Sequence, residues 1–326
     1  MCAILKAAGG LTEIEGIKVG HCTDANAATG VTVVLVEEGA RAAVDVRGSA
    51  PGTRETELLQ PSRLVEEVQA IVLAGGSAFG LDAAGGAMRY LEERGRGYST
   101  GPIRVPIVPA AIIFDLFIGS ATVRPDAEMG YRACLEASAG PIVEGSVGAG
   151  TGATVGKIYG PQQAVKSGLG STSCRCGELV VAALAVVNAF GDIYDRRGKL
   201  IAGPRHPQSG LMQCTADLLL SRSSPGFSGN TTLGVVATNG CFNREALRKI
   251  AQMAHNGLAR SIWPVHTMWD GDLVFSLSLG EQEADISLAG TMAAEALAGA
   301  VERAIVTATT LAGIPAVSDL QKQDCD

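Results

Sequence analysis

Near residue 230 a polar loop runs into an apolar strand through Ser228-Gly229-Asn230-Thr231-Thr232-Leu233-Gly234-Val235-Val236. An Asn-Thr bond at such a junction has a definite chemistry. A Thr hydroxyl in a strained turn can attack the preceding carbonyl, pass through an ester and, after hydrolysis, leave Thr231 as a new N-terminus. Its freed α-amine, with an ordinary pKa of about 7.7 to 8.0, then lies beside its own Oγ as a general base. The same dipeptide ahead of a strand also serves as a plain turn, and both readings stand at this point.

Three further places carry chemistry. His266-Thr267-Met268-Trp269-Asp270-Gly271-Asp272 puts two carboxylates on alternate positions before an apolar run, so extended backbone turns both to one side. Asp270 and Asp272 can orient a nucleophile or an ammonium, or belong to a solvated turn. Asn188 ends the run Leu179-Val-Val-Ala-Ala-Leu-Ala-Val-Val-Asn188, where a shielded amide needs partners. It either opens the turn that follows or aims a donor at an oxyanion. Lys157 stands in the otherwise uncharged, glycine-rich stretch 148–157, as a solvated loop lysine or as an active-site cation.

The elements that must position these residues read as a mixed α/β chain. Strands are expected at 31–36, 42–46, 70–74, 179–188, 233–238 and 273–277 from β-branched and apolar runs. Asn243 caps a helix in which Leu247, Ile250, Ala251, Ala254 and Leu258 recur at helical spacing, and 285–309 reads as a long Ala-rich helix. Segment 203–230, rich in Pro, Gly and Ser, reads as a long surface loop.

Two glycine-rich stretches, 75–80 and 148–157, invite a nucleotide reading. A phosphate loop needs a Gly five residues before its Gly-Lys and a Ser or Thr after it, whereas Thr151 and Ile158 stand there. The first stretch has Phe79 where a nucleophile elbow around Ser77 requires its second Gly. Tight turns with close backbone packing are the plainer account. A phosphate- or nucleotide-binding enzyme remains one alternative, and a non-catalytic oligomeric scaffold another.

Composition narrows the partners. A formal charge of -7 with no basic run gives no footprint for nucleic acid or an anionic membrane surface. Of 326 residues, 42 are Gly, about twice the usual share, and only 4% are aromatic, so the core is expected to close on Ala, Val and bare backbone. No secretory signal or membrane span is readable, which makes a cytoplasmic location the expectation. Eight cysteines without regular spacing fit reduced thiols, and no metal or organic cofactor is called for.

Taken in order, Leu73-Ala74-Gly75-Gly76-Ser77-Ala78-Phe79-Gly80-Leu81, the 148–157 stretch, the strand ending in Asn188, Gly229-Asn230-Thr231-Thr232 and Asp270-Gly271-Asp272 resemble a known family. It is the self-processing aminopeptidase family that includes the L-aminopeptidase D-amidase/D-esterases, the β-aminopeptidases and the nylon-oligomer (6-aminohexanoate-oligomer) endohydrolases. The resemblance implies one αββα domain, a four-layer sandwich similar to N-terminal nucleophile hydrolases but differently connected, assembled as a homotetramer or larger. It further implies self-cleavage between Asn230 and Thr231 into segments 1–230 and 231–326, with Thr231 as nucleophile and Asn188 in the oxyanion hole. Lys157, Asp270 and Asp272 match the lysine and acidic pair of the nylon-oligomer branch, whereas the other branches carry Ser as nucleophile and as first member of the pair. The implied activity is hydrolysis of amide bonds in small peptides, amino-acid amides or ω-amino-acid oligomers.

Overall fold

A computed structural model describes residues 10–221 and 229–323. Eight strands build the frame: Lys18–Asp24 (β1), Thr29–Val46 (β2), Glu67–Ala74 (β3), Ala110–Ile112 (β4), Leu169–Cys176 (β5), Leu179–Asn188 (β6), Thr231–Gly240 (β7) and Leu273–Gln282 (β8). Four helices cover it: Ala83–Glu92 (α1), Ala127–Leu135 (α2), Arg244–Ser261 (α3) and Ile286–Val306 (α4). The strands follow the path β5-β6-β7-β8-β2-β3-β4, extended by the two-residue strand Thr53–Arg54, with β1 pairing β2.

The path is continuous because β2 is 18 residues long and changes partners along its length. Its end, residues 41–46, pairs β8, while residues 31–35 pair both β1 and β3. Between them the register slips and Gly39 takes φ +98°, a conformation open to glycine. The bend carries the chain from one sheet layer to the next.

Side-chain alternation then sorts the core into layers. Ala182, Leu184 and Val186 of β6, with Leu233, Val235 and Phe275, meet Val34, Ile71 and Leu73 between the two sheet halves. Val181, Ala183, Ala185 and Val187 face outward under Leu247, Ile250, Leu297 and Val301 of α3 and α4. On the far side Val31, Val33 and Val72 pack beneath Ala87, Leu91 and Ala133 of α1 and α2. The result is helix, sheet, sheet, helix, the four-layer αββα sandwich expected. Close packing explains the glycine count: a Cβ at Gly257 would lie 2.2 Å from the Ala294 carbonyl oxygen, so only a bare backbone lets α3 meet α4.

Most expected elements are present, and both cap residues act. Asn243 and Asp285 each accept a backbone N–H, from Ala246 and from Leu288, at 2.9 Å. Three corrections follow. The strands expected at 31–36 and 42–46 are one strand interrupted by the bend. β1 was not expected, because Gly20, His21 and Cys22 give it no β-branched run. Within the expected loop 203–230, residues Thr215–Ser221 form a helix whose first N–H binds Asp192 Oδ2 at 2.7 Å, and 222–228 lie outside the described residues. Among the described residues no helix is long and apolar enough to cross a membrane.

Candidate active site

Three neighbouring strands bring the candidate residues to one end of the sheet. β6 ends at Asn188, β7 begins at Thr231, and the two are register partners. β8 runs parallel to β7 with Leu273 opposite Leu233, so Asp272 lies beside Thr232, and Asn230 forms a parallel bridge with Asp270. Asn188, Asn230, Thr231, Asp270, Asp272 and Lys157 are all at most 2% exposed. Buried polar groups need partners, at about 1–3 kcal/mol for each one left unmet.

At the Asn230–Thr231 peptide, Thr231 Oγ1 donates to the Asn230 carbonyl oxygen at 2.5 Å. The Gly271 N–H donates to that same oxygen at 2.9 Å. Hydroxyl and amide donor therefore converge on one carbonyl. Asn230 is pinned by its own N–H and its Nδ2, both on the Trp269 carbonyl, at 3.1 and 3.3 Å. Gly271 admits no side chain, since a Cβ would fall 2.8 Å from Thr231 Oγ1 and 2.5 Å from the Ala50 carbonyl oxygen.

The two acids hold backbone on either side of Thr231. Asp272 Oδ1 accepts the Thr232 N–H at 2.6 Å, and its Oδ2 accepts the His266 N–H at 3.1 Å and His266 Nδ1 at 2.9 Å. Asp270 Oδ1 accepts the Phe190 N–H at 3.1 Å, and its Oδ2 accepts the Thr267 N–H and hydroxyl. One carboxylate thus fixes the start of β7 and the other fixes the turn after β6.

Lys157 arrives from a turn docked on that same segment. Its N–H binds the Phe190 carbonyl and that of Gly156 binds the Gly191 carbonyl, each at 3.1 Å. Lys157 Nζ donates to Asn188 Oδ1 at 2.6 Å and to the Asn188 carbonyl at 2.9 Å, and the Thr154 N–H adds a bond to Oδ1 at 3.1 Å. The Thr154 N–H can only donate, so Oδ1 must face it and Lys157, which turns Asn188 Nδ2 toward the Phe114 carbonyl at 3.0 Å.

Burial dominates the electrostatics. It lowers the Lys157 ammonium to about 7, against the opposing pull of Asp270, Asp115 and Asp272. Burial raises the Asp270 carboxyl to about 6, with the charge of Asp272 acting in the same direction. A lysine and an acid poised near neutrality within one cluster are the groups from which proton transfer at pH 7 is built.

Sequence reasoning missed Asp115 as a site residue. It is buried and accepts the Gly76 N–H at 2.7 Å and the Thr29 hydroxyl at 2.8 Å. Both glycine-rich stretches close around it: a Cβ at Gly75 would sit 2.0 Å from Asp115 Oδ2, and one at Gly152 would sit 2.5 Å from Asp115 Cβ. In 75–80 a carboxylate already occupies the Gly76 amide that an anion would seek, and in 148–157 the N–H groups of Thr154, Gly156 and Lys157 are taken by Asn188, Gly191 and Phe190, so neither stretch is built for phosphate. The available signal was a lone acid inside the apolar run 105–118.

Two solved structures share the fold. A Burkholderia β-aminopeptidase superposes with TM-score 0.71 at 20% identity, covering 99% of this chain and 96% of that one. The L-aminopeptidase D-Ala-esterase/amidase of Ochrobactrum anthropi, described as a variant of the Ntn-hydrolase fold, gives 0.71 at 17%, covering 94% and 88%. Peptidase family S58 matches residues 10–317, and the chain belongs to that family. It is 41% identical to an uncharacterized aminopeptidase of Mycobacterium tuberculosis, over 95% of this chain and 97% of the relative. It is 32% identical to a 6-aminohexanoate-oligomer endohydrolase of Kocuria sp., over 82% and 74%. The chain is a hydrolase acting on amide bonds.

Proposed function

We propose that the chain cuts itself between Asn230 and Thr231 and then hydrolyses amides through an acyl-enzyme on Thr231 Oγ. The observation that carries this reading is the Thr231 hydroxyl 2.5 Å from the Asn230 carbonyl oxygen, with the Gly271 N–H on the same atom. Attack of Oγ on the Asn230 carbonyl carbon breaks the C–N bond and leaves an ester with a free Thr231 amine. Water then releases the Asn230 carboxylate. Segments 1–230 and 231–326 stay together as one αββα domain, because β7 lies between β6 and β8.

In the processed enzyme the Thr231 α-amine takes the proton from its own Oγ as the hydroxyl attacks the substrate carbonyl, and returns it to the departing amine. Asn188 Nδ2 and backbone N–H groups stabilise the oxyanion. Lys157 fixes the Asn188 amide, while Asp270 and Asp272 hold the backbone flanking the nucleophile. The substrates in this reading are small peptides, amino-acid amides or ω-amino-acid oligomers, the enzyme is a cytoplasmic homotetramer or larger, and no cofactor takes part. A panel of amino-acid p-nitroanilides, amides and ω-amino-acid oligomers, run on processed wild-type protein beside Thr231→Ala, tests the reading. Hydrolysis by the wild type alone supports it, and equal hydrolysis by both defeats it.

A further inference from the structure

The proposed mechanism gives no task to His266, a half-buried residue that touches Asp272. His266 sits in the left-handed region at φ +55°, a conformation unfavourable for a residue with a side chain. What holds it there is a double donation to a single oxygen, its backbone N–H at 3.1 Å and its ring Nδ1 at 2.9 Å, both to Asp272 Oδ2. Because a carboxylate oxygen accepts, Nδ1 carries the hydrogen. The other oxygen of the same carboxylate holds the Thr232 N–H at 2.6 Å, one residue from the candidate nucleophile.

Behind the ring stands a second, fully buried imidazole. His255, on α3, meets His266 edge to face with centroids 4.8 Å apart. Its Nε2 lies 3.1 Å from the Asp45 carbonyl, which as an acceptor places the hydrogen on that nitrogen. Asp45 belongs to β2 and pairs with Val274 of β8, the strand that Asp272 precedes. The brace therefore closes on the sheet that carries the site. Among the described residues His266 Nε2 is enclosed with no hydrogen-bond partner, and the ring's polar attachment is Nδ1 to Asp272.

We propose that His266 is a positioning residue: through Nδ1 it orients Asp272, which in turn fixes the Thr232 N–H and the first peptide of the strand bearing Thr231. The assignment rests on Thr231 as nucleophile. It makes the ring a fixed donor rather than the base, because Nδ1 is committed to Asp272 and Nε2 is enclosed.

Amide replacements separate these roles. The Nδ2 of an asparagine occupies the place of Nδ1 and tolerates the left-handed backbone, whereas the amide of glutamine lies one bond further out. The full-length chain carrying His266→Asn, His266→Gln or His266→Leu is compared with wild type for rate of self-cleavage by intact mass, and for kcat and KM on an amino-acid p-nitroanilide. Asparagine is expected to retain most of both rates. Glutamine and leucine are expected to lose about tenfold to a hundredfold in kcat with KM little changed, the scale of a misplaced reacting group. Glutamine equal to or better than asparagine overturns the proposal, as does a folded leucine variant with wild-type kcat. Should the leucine variant fail to fold, the asparagine-to-glutamine order decides alone. Turnover retained by Thr231→Ala would instead refute the nucleophile reading, a result distinct from the order of the His266 variants.

Discussion

Lys157 directs two of its three N–H donors at one residue, Asn188, at 2.6 and 2.9 Å. This pairing turns Asn188 Nδ2 toward the Phe114 carbonyl and leaves its second hydrogen for a developing negative charge. Asn188→Ala is therefore expected to lower kcat by about a hundredfold to a thousandfold with a much smaller change in KM, the usual effect of losing one oxyanion donor. Steady-state kinetics on processed protein checks this. A processed, folded variant with near-normal kcat returns Asn188 to a structural role at the end of β6.

Stability should depend on pH through Lys157, and the sign is fixed by burial. Its ordinary value of 10.5 falls to about 7 in the fold. Between those values the unfolded lysine is protonated and the folded one is neutral, so unfolding takes up a proton and rising pH favours the native state. Relative to Lys157→Met, wild-type stability is expected to climb by about 1.4 kcal/mol per pH unit above 7. Lys166, also lowered to about 7, is present in both proteins and cancels in the comparison. Urea titrations at several pH values read the difference, and a flat one contradicts a buried lysine with a depressed value.

What the sequence made legible depended on how local the cause was. β6 is readable to the residue because Leu179 to Asn188 is a single apolar run, and both caps are readable because Asn243 and Asp285 act on N–H groups three residues away. The bend in β2 was not, since the Glu37-Glu38-Gly39 interruption resembles a loop until the partners on both sides are known. At the site, Asn188, Thr231, Asp270 and Asp272 were legible as types at strand ends, but their convergence is a product of strand order. Asp115 was least legible of all: its partners Thr29 and Gly76 lie far off in sequence, and the glycines that make room for it look like nucleotide loops.

Activity should rise with pH through the neutral range. The Thr231 α-amine acts as base only when uncharged, and its ordinary value is about 7.7 to 8.0. Lys157 near 7 and Asp270 near 6 titrate beside it, so the observed midpoint belongs to the coupled group. Asp115 stabilises the charged form of Lys157, so Asp115→Asn is expected to move the limb to lower pH. His266→Gln lowers kcat but is expected to leave the midpoint in place. A limb that vanishes in His266→Gln would assign the base to the imidazole.

Gly271 leaves no room for a side chain beside the nucleophile, with a Cβ reaching 2.8 Å from Thr231 Oγ1 and 2.5 Å from the Ala50 carbonyl oxygen. Gly271→Ala is expected to slow self-cleavage strongly, because either the hydroxyl or the donor on the Asn230 carbonyl must move. A time course of intact mass after purification reads this, and wild-type processing in that variant would contradict the crowding.

The central claim is that Thr231 becomes an N-terminal nucleophile, and the intact mass of purified wild-type protein with N-terminal sequencing of its smaller piece tests it most directly. The expected result is two chains, 1–230 and 231–326, that stay associated on native sizing, the smaller beginning with Thr231, while Thr231→Ala remains one inactive chain. Wild-type protein that stays full length through prolonged incubation and still hydrolyses amides would contradict the account.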